Sequence, residues 1–201
     1  MMIKLLNFFL LSILLQPFQC FAQNQQFGIR AGVNASKIFI TNLDSDIPSF
    51  KPLPAYHISG LVKTELNNKS GLQTELSYTV KGFAENNSIW FRKRFHYLTL
   101  PVLLNYKLSQ NILVTAGLEP SYFLNYQQCI ALVERRWDVC ADSGFEFRLS
   151  SLFSLGLRYN HGLIPVNTID SRDSQGQHLN TIRFSNRTLQ VSLSYEIAKK
   201  N

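Results

Sequence analysis

Beyond its first fifteen residues the chain has no apolar run of the roughly 18 or more residues that a bilayer-spanning helix needs. The run that does exist, Leu5 to Leu15, is itself too short for that task. Cysteine is scarce, with three in 201 residues, and there is no Cys-x-x-Cys pair, Gly-rich phosphate loop or His-Glu-x-x-His helix. The four histidines, His57, His96, His161 and His178, stand in separate segments without ligand spacing. These gaps argue against a helical membrane protein and against metal or cofactor chemistry.

What is present begins with a leader. Lys4 precedes the short apolar run, and Cys20-Phe21-Ala22 puts small residues where a signal peptidase reads them. Residues 1–22 are expected to be a signal peptide cleaved after Ala22, and residues 23–201 one domain. Cys20 raises lipidation, but the bulky Gln19 before it fits that signal poorly. The formal net charge of +7 falls to +6 when Lys4 leaves. An exported basic protein seldom meets nucleic acid, so anionic lipid head groups are the expected counterpart.

After the leader, apolar and polar residues alternate one by one, most clearly in Leu189-Gln190-Val191-Ser192-Leu193-Ser194-Tyr195-Glu196-Ile197. Such a strand has one apolar and one polar face. The mean hydropathy of −0.04 looks soluble only because the two faces cancel. Strands are expected at 27–37, 55–66, 70–81, 96–108, 112–126, 138–149, 152–161 and 185–197. The intervals after the second, fourth and sixth are tiny, and those after the odd-numbered strands are long. Outer-membrane barrels segregate short periplasmic turns from long external loops in this way. The expected fold is therefore all-β, an eight-stranded antiparallel up-and-down transmembrane β-barrel in a bacterial outer membrane.

The apolar stripes, such as Leu98, Leu100, Val102 and Leu104 or Phe153, Leu155 and Leu157, are expected to face lipid. Aromatic residues at strand ends resemble the girdles at head-group level, with Tyr56, Tyr78, Tyr97, Tyr122, Tyr126 and Tyr159 toward the long loops. Phe27, Tyr106, Phe153 and Tyr195 take the turn side. An eight-stranded lumen is just wide enough for side chains to fill it. Arg30, Lys63, Glu65, Glu75, Glu119, Glu146, Arg148, Arg158 and Glu196 are expected to interlock there as a charge network, with inward glycines such as Gly32 and Gly144 making room. Pro101 and Pro120 each remove a ladder hydrogen bond, which predicts bulges.

Cys129 and Cys140 flank a loop tip at Glu134-Arg135-Arg136 with matching parity. If the flanks pair with 129 opposite 140, a disulfide there adds roughly 3 kcal/mol by loop closure; the alternative is two unpaired thiols. The basic groups Arg92-Lys93-Arg94 and Arg135-Arg136 are placed in long loops. There they suit phosphates of surface lipopolysaccharide or an acidic protein partner, or serve only as solvated loop charge. Lipid-modifying catalysis needs a converging His, Ser and carboxylate and an apolar slot. His57 and Ser59 share a face, but the inward faces read as too charged, so no enzymatic activity is expected.

Gly71-Leu72-Gln73-Thr74-Glu75-Leu76-Ser77-Tyr78 with Lys81-Gly82 resembles a hallmark of the outer-membrane β-barrel family typified by PorT. Tyr97 to Tyr106, Ala116 to Tyr122, Arg158 to Leu163 and Asn186 to Val191 continue the resemblance across nearly the whole mature chain. It implies an eight-stranded outer-membrane barrel, and through PorT itself an accessory role in type IX-like protein export. The chain departs from many outer-membrane proteins by ending Ile197-Ala198-Lys199-Lys200-Asn201 instead of on an aromatic residue. The expectation is a monomeric, closed barrel with a structural, adhesive or interaction role at its external loops. The rivals are an export accessory and a soluble, secreted lipocalin-like barrel with its apolar stripes turned inward.

Overall fold

The computed structural model describes residues 25–41, 50–85, 92–124, 135–172 and 175–197. The expected leader, Tyr126 and Cys129 lie outside the described residues. The strands are β1 (Gln25–Thr41), β2 (Phe50–Glu65), β3 (Ser70–Glu85), β4 (Arg92–Thr99), β5 (Val102–Lys107), β6 (Ile112–Phe123), β7 (Trp137–Arg148), β8 (Phe153–Gly162), β9 (Asn167–Arg172) and β10 (His178–Glu196). Each pairs antiparallel with its neighbour, and β1 closes the ring against β10 from Gly28↔Glu196 to Thr41↔Arg183. β4 and β5 together form one stave, and β9 pairs only with the outer part of β10. The ring is thus an eight-stranded up-and-down barrel.

The short turns are built by side chains as much as by backbone. Asn67 Oδ1 accepts from the amides of Lys69 and Ser70 at 2.9 and 2.8 Å. Ser109 Oγ accepts from the Asn111 amide, and Ser150 Oγ from those of Leu152 and Phe153. Asn and Ser occupy such turns because their short polar groups imitate a backbone acceptor.

Both prolines sit in register, which corrects the expectation of bulges there. β3 keeps one alignment across the gap, Ser77↔Thr99 on β4 and Thr74↔Val102 on β5. β6 does likewise, with Thr99↔Ser121 and Val102↔Leu118. The amides of Glu75 and Leu100 donate to the carbonyls of Pro101 and Pro120 at 3.0 and 2.9 Å. Proline has no N–H for the return bond, so the ladder thins without slipping. Register shifts lie instead in β2, between Pro52 and His57 against β3, and between His178 and Asn180 where β10 pairs β9.

Several strands outrun a membrane. β10 covers 19 residues, roughly twice the about 9–11 that a tilted membrane strand requires. The excess lies on the long-loop side. It places Arg92-Lys93-Arg94 within β4 instead of in a loop, and β9 within the last long interval. The β6–β7 register also corrects the alignment expected to set 129 opposite 140. Cys140 stands opposite Glu119, well before position 129, and it is a buried free thiol.

The faces divide as the alternation requires. Leu76, Leu98, Leu104, Leu118, Leu157, Leu189 and Val191 are exposed around the outside, while Arg30, Glu75, Lys81, Glu119 and Asn160 are buried within. An apolar exterior over a polar interior inverts a soluble protein and rules out the lipocalin-like arrangement. Aromatic pairs mark both edges of the apolar band. Tyr56 with Tyr78 and Tyr122 with Trp137 lie toward the long loops, and Phe153 with Tyr195 toward the turns. Tyr97 is the exception to the expected girdle, since its parity turns it inward against Phe123 at 5.1 Å.

Candidate functional site

The interior is a stack of three layers. Nearest the turns, Arg30 donates to Glu75 at 2.6 Å, to Glu146, and through Nε to Ser194. Glu75 also receives Arg158, Gln73 and Ser59. Lys63 bridges Glu146 and Glu196, and Ser154 donates to the same two carboxylates at 3.0 Å each. Three cations therefore face three carboxylates. Charges this deep are tolerable only when paired and further hydrogen-bonded, and every carboxylate here has at least two donors.

The middle layer gathers three carboxylates around one ammonium. Lys81 donates to Glu119 at 2.8 Å and lies 3.9 Å from Asp138. Asn160 donates to Glu119 and Asp142, and Asn186 to Asp138. The Cys140 thiol sits between Lys81 and Asp138, 3.6 Å from each. It is buried on the inner side of the wall.

Above this, the interior turns apolar. Ile38, Phe83, Phe95, Tyr97, Phe123 and Val166 form one buried cluster, with Ile40 and Phe184 packed against it. Phe95 meets Phe123 edge-on at 5.5 Å and Phe83 at 5.9 Å. Val166, from the segment after β8, is drawn in by the hydrogen bond its amide donates to the Phe184 carbonyl. The inward faces are thus not charged throughout, as expected from sequence. Their external portion is a filled apolar plug.

The expected network is partly assembled and partly dispersed. Arg30, Lys63, Glu75, Glu146, Arg158 and Glu196 share the lower layer, and Glu119 belongs to the middle one. Glu65 instead pairs with Lys107 at 3.0 Å on the exposed rim, and Arg148 is exposed beside them at the same mouth. Lys81 and Asp138 were not foreseen as members, although each has the inward parity of its strand. The glycines act as expected at two places. A Cβ on Gly32 would lie 2.6 Å from His57, and one on Gly144 2.9 Å from Arg158.

His57 and Ser59 do not contact one another's partners. Ser59 donates to Glu75, and His57 lies 2.6 Å from Asn34 Oδ1, so the two serve different partners. Among the described residues, no group of three or more His, Cys, Asp or Glu side chains is arranged to hold a metal ion. On the external side, Arg92 and Arg94 alternate with Lys93 along β4 and are exposed, as are Arg135 and Arg136.

A family model described as outer membrane protein beta-barrel domain matches residues 21–167. No curated protein matches the chain. Among solved structures, it is similar to Ail, the attachment invasion locus protein of Yersinia pestis, in complex with the heparin analogue sucrose octasulfate. That likeness is at 15% identity and a TM-score of 0.46, covering 87% of this chain and 100% of that one. OprG from Pseudomonas aeruginosa is similar at 10% identity and 0.47, covering 88% and 97%. Neisserial surface protein A follows at 8% and 0.49, covering 85% and 97%.

Proposed function

The chain belongs to the outer membrane protein beta-barrel family, and on that premise we propose that it is a closed, monomeric barrel acting through its external end as a structural, adhesive or interaction element. The observation that carries this reading is the sealed interior. A paired charge layer lies beneath a packed apolar layer of Phe83, Phe95, Phe123, Ile38 and Val166. Such a stack is expected to block solutes and ions. The parts left to act are the outer wall and the external rim, where Arg92, Arg94, Arg135 and Arg136 suit phosphates or an acidic protein surface. The reading assigns no catalysis and no cofactor.

Reconstitution in a planar bilayer tests it. The folded protein is expected to leave the baseline current unchanged, and discrete ohmic steps would overturn the closed lumen. An accessory role in PorT-like protein export makes a separate prediction, that other envelope proteins co-purify after mild detergent extraction.

A further inference from the structure

Three neighbouring strands carry basic side chains on their lipid-facing side just above the apolar band. The register sets Lys37 of β1 directly opposite Arg187 of β10, and Arg187 opposite His161 of β8. The residues two positions nearer the membrane are Ala35, Leu189 and Tyr159, so the row lies about 7 Å beyond them along the strands. All three share the outward parity of Val33, Val191 and Leu157, which are exposed to lipid. Arg183 stands farther out on β10, on the same face, opposite Thr41.

Like charges opposite one another on adjacent strands repel. Among the described residues Lys37, Arg187 and Arg183 make no ion pair, whereas the rim lysine at the opposite end, Lys107, has Glu65. Arg187 is also held in place. Its guanidinium carbon lies 3.3 Å from the centre of the Phe39 ring, and its Nε is buried without a hydrogen-bond partner. Arginine's forked donors match a phosphate's oxygens, which suits a guanidinium anchored in this way.

We propose that Lys37, Arg187 and His161 form a binding site on the outer wall for the phosphate of an outer-leaflet lipid, with its acyl chains lying along the apolar column below. The choice of a lipid over a free anion follows from position. The cations border exposed hydrocarbon-facing residues, so a ligand with a phosphate joined to an apolar tail satisfies both at once. Each cation near an anionic lipid surface contributes about fivefold in affinity.

The test uses the folded protein in detergent micelles with added diphosphorylated lipid A, the one-to-one adduct being counted by native mass spectrometry. Lys37→Gln and Arg187→Gln are each expected to weaken the adduct about fivefold or more, while Lys107→Gln at the other end leaves it unchanged. Excess inorganic phosphate is expected not to displace the lipid. Where Arg187→Gln does not fold, the exposed Lys37→Gln carries the same expectation. Equal retention by wild type and Lys37→Gln overturns the site, as does equal binding of lipid A stripped of its phosphates. Displacement by inorganic phosphate overturns the lipid assignment. The site lies outside the lumen, so its result is independent of whether the barrel conducts.

Discussion

Arg30 has no acidic partner on either strand beside it. Its carboxylates come from β3 and β7, across the lumen, and only the neutral Ser194 comes from adjacent β10. Removing one member of a buried ion cluster strands the others, at about 3–5 kcal/mol. Arg30→Met is therefore expected to lose that much stability in urea unfolding from vesicles. Adding Glu146→Gln should recover part of the loss, because Glu75 keeps Arg158 and Lys63 keeps Glu196. Strict additivity of the two changes would show that the pair is not coupled. Parity along the strands was enough to place Arg30, Glu75, Glu146 and Arg158 on the inner face. It does not give height, which is why Glu65 and Arg148 share that parity yet sit on the rim. Lys81 and Asp138 stood at the expected strand ends, and alternation says little about where a strand stops. Tyr97 shows the same limit, since a terminal tyrosine reads as a girdle residue until its parity is counted.

At the level of elements, Pro101 tests how the wall tolerates a missing donor. Pro101→Ala supplies an N–H toward the Glu75 carbonyl, a bond worth about 0.5–1.5 kcal/mol. It also frees the unfolded chain, which costs roughly 0.4–1 kcal/mol. The two nearly cancel, so stability is expected to stay within about 1 kcal/mol of wild type. A loss of several kcal/mol would mean that the proline itself fixes the shape of the β4–β5 stave. The eight staves and their alternating loops were legible because period-2 patterning and turn residues are local signals. Register was not. The β6–β7 alignment depends on how much chain the hairpin loop consumes, and that is what separated Cys140 from the position expected to face Cys129. The reach of β1, β2, β3 and β10 past the membrane was also hidden, since the strand pattern continues after the apolar face ends.

For the whole molecule, the governing fact is which face meets hydrocarbon. Leu157 is exposed between Phe145 of β7 and Val191 of β10. Leu157→Arg is expected to cost roughly 2–4 kcal/mol if it lies near the midplane. The reading is a reduced heat-shifted, folded band on cold gel electrophoresis after refolding into vesicles. Wild-type refolding of that variant would mean the faces are reversed. The external plug was the largest feature that sequence reasoning overlooked. Ile38, Phe83, Phe95 and Phe123 continue the inward parity of charged residues, so only the three-dimensional closure shows that polarity changes along the axis. The cross-lumen wiring also bears on how this molecule is born. Two-strand pieces would carry Arg30, Glu75 or Glu146 into oil with their counterparts still missing, a cost no hairpin can bear alone. Entry into the bilayer must then be concerted, every stave arriving before any is secure, and a fragment lacking one hairpin should be no smaller cylinder but an unfolded chain.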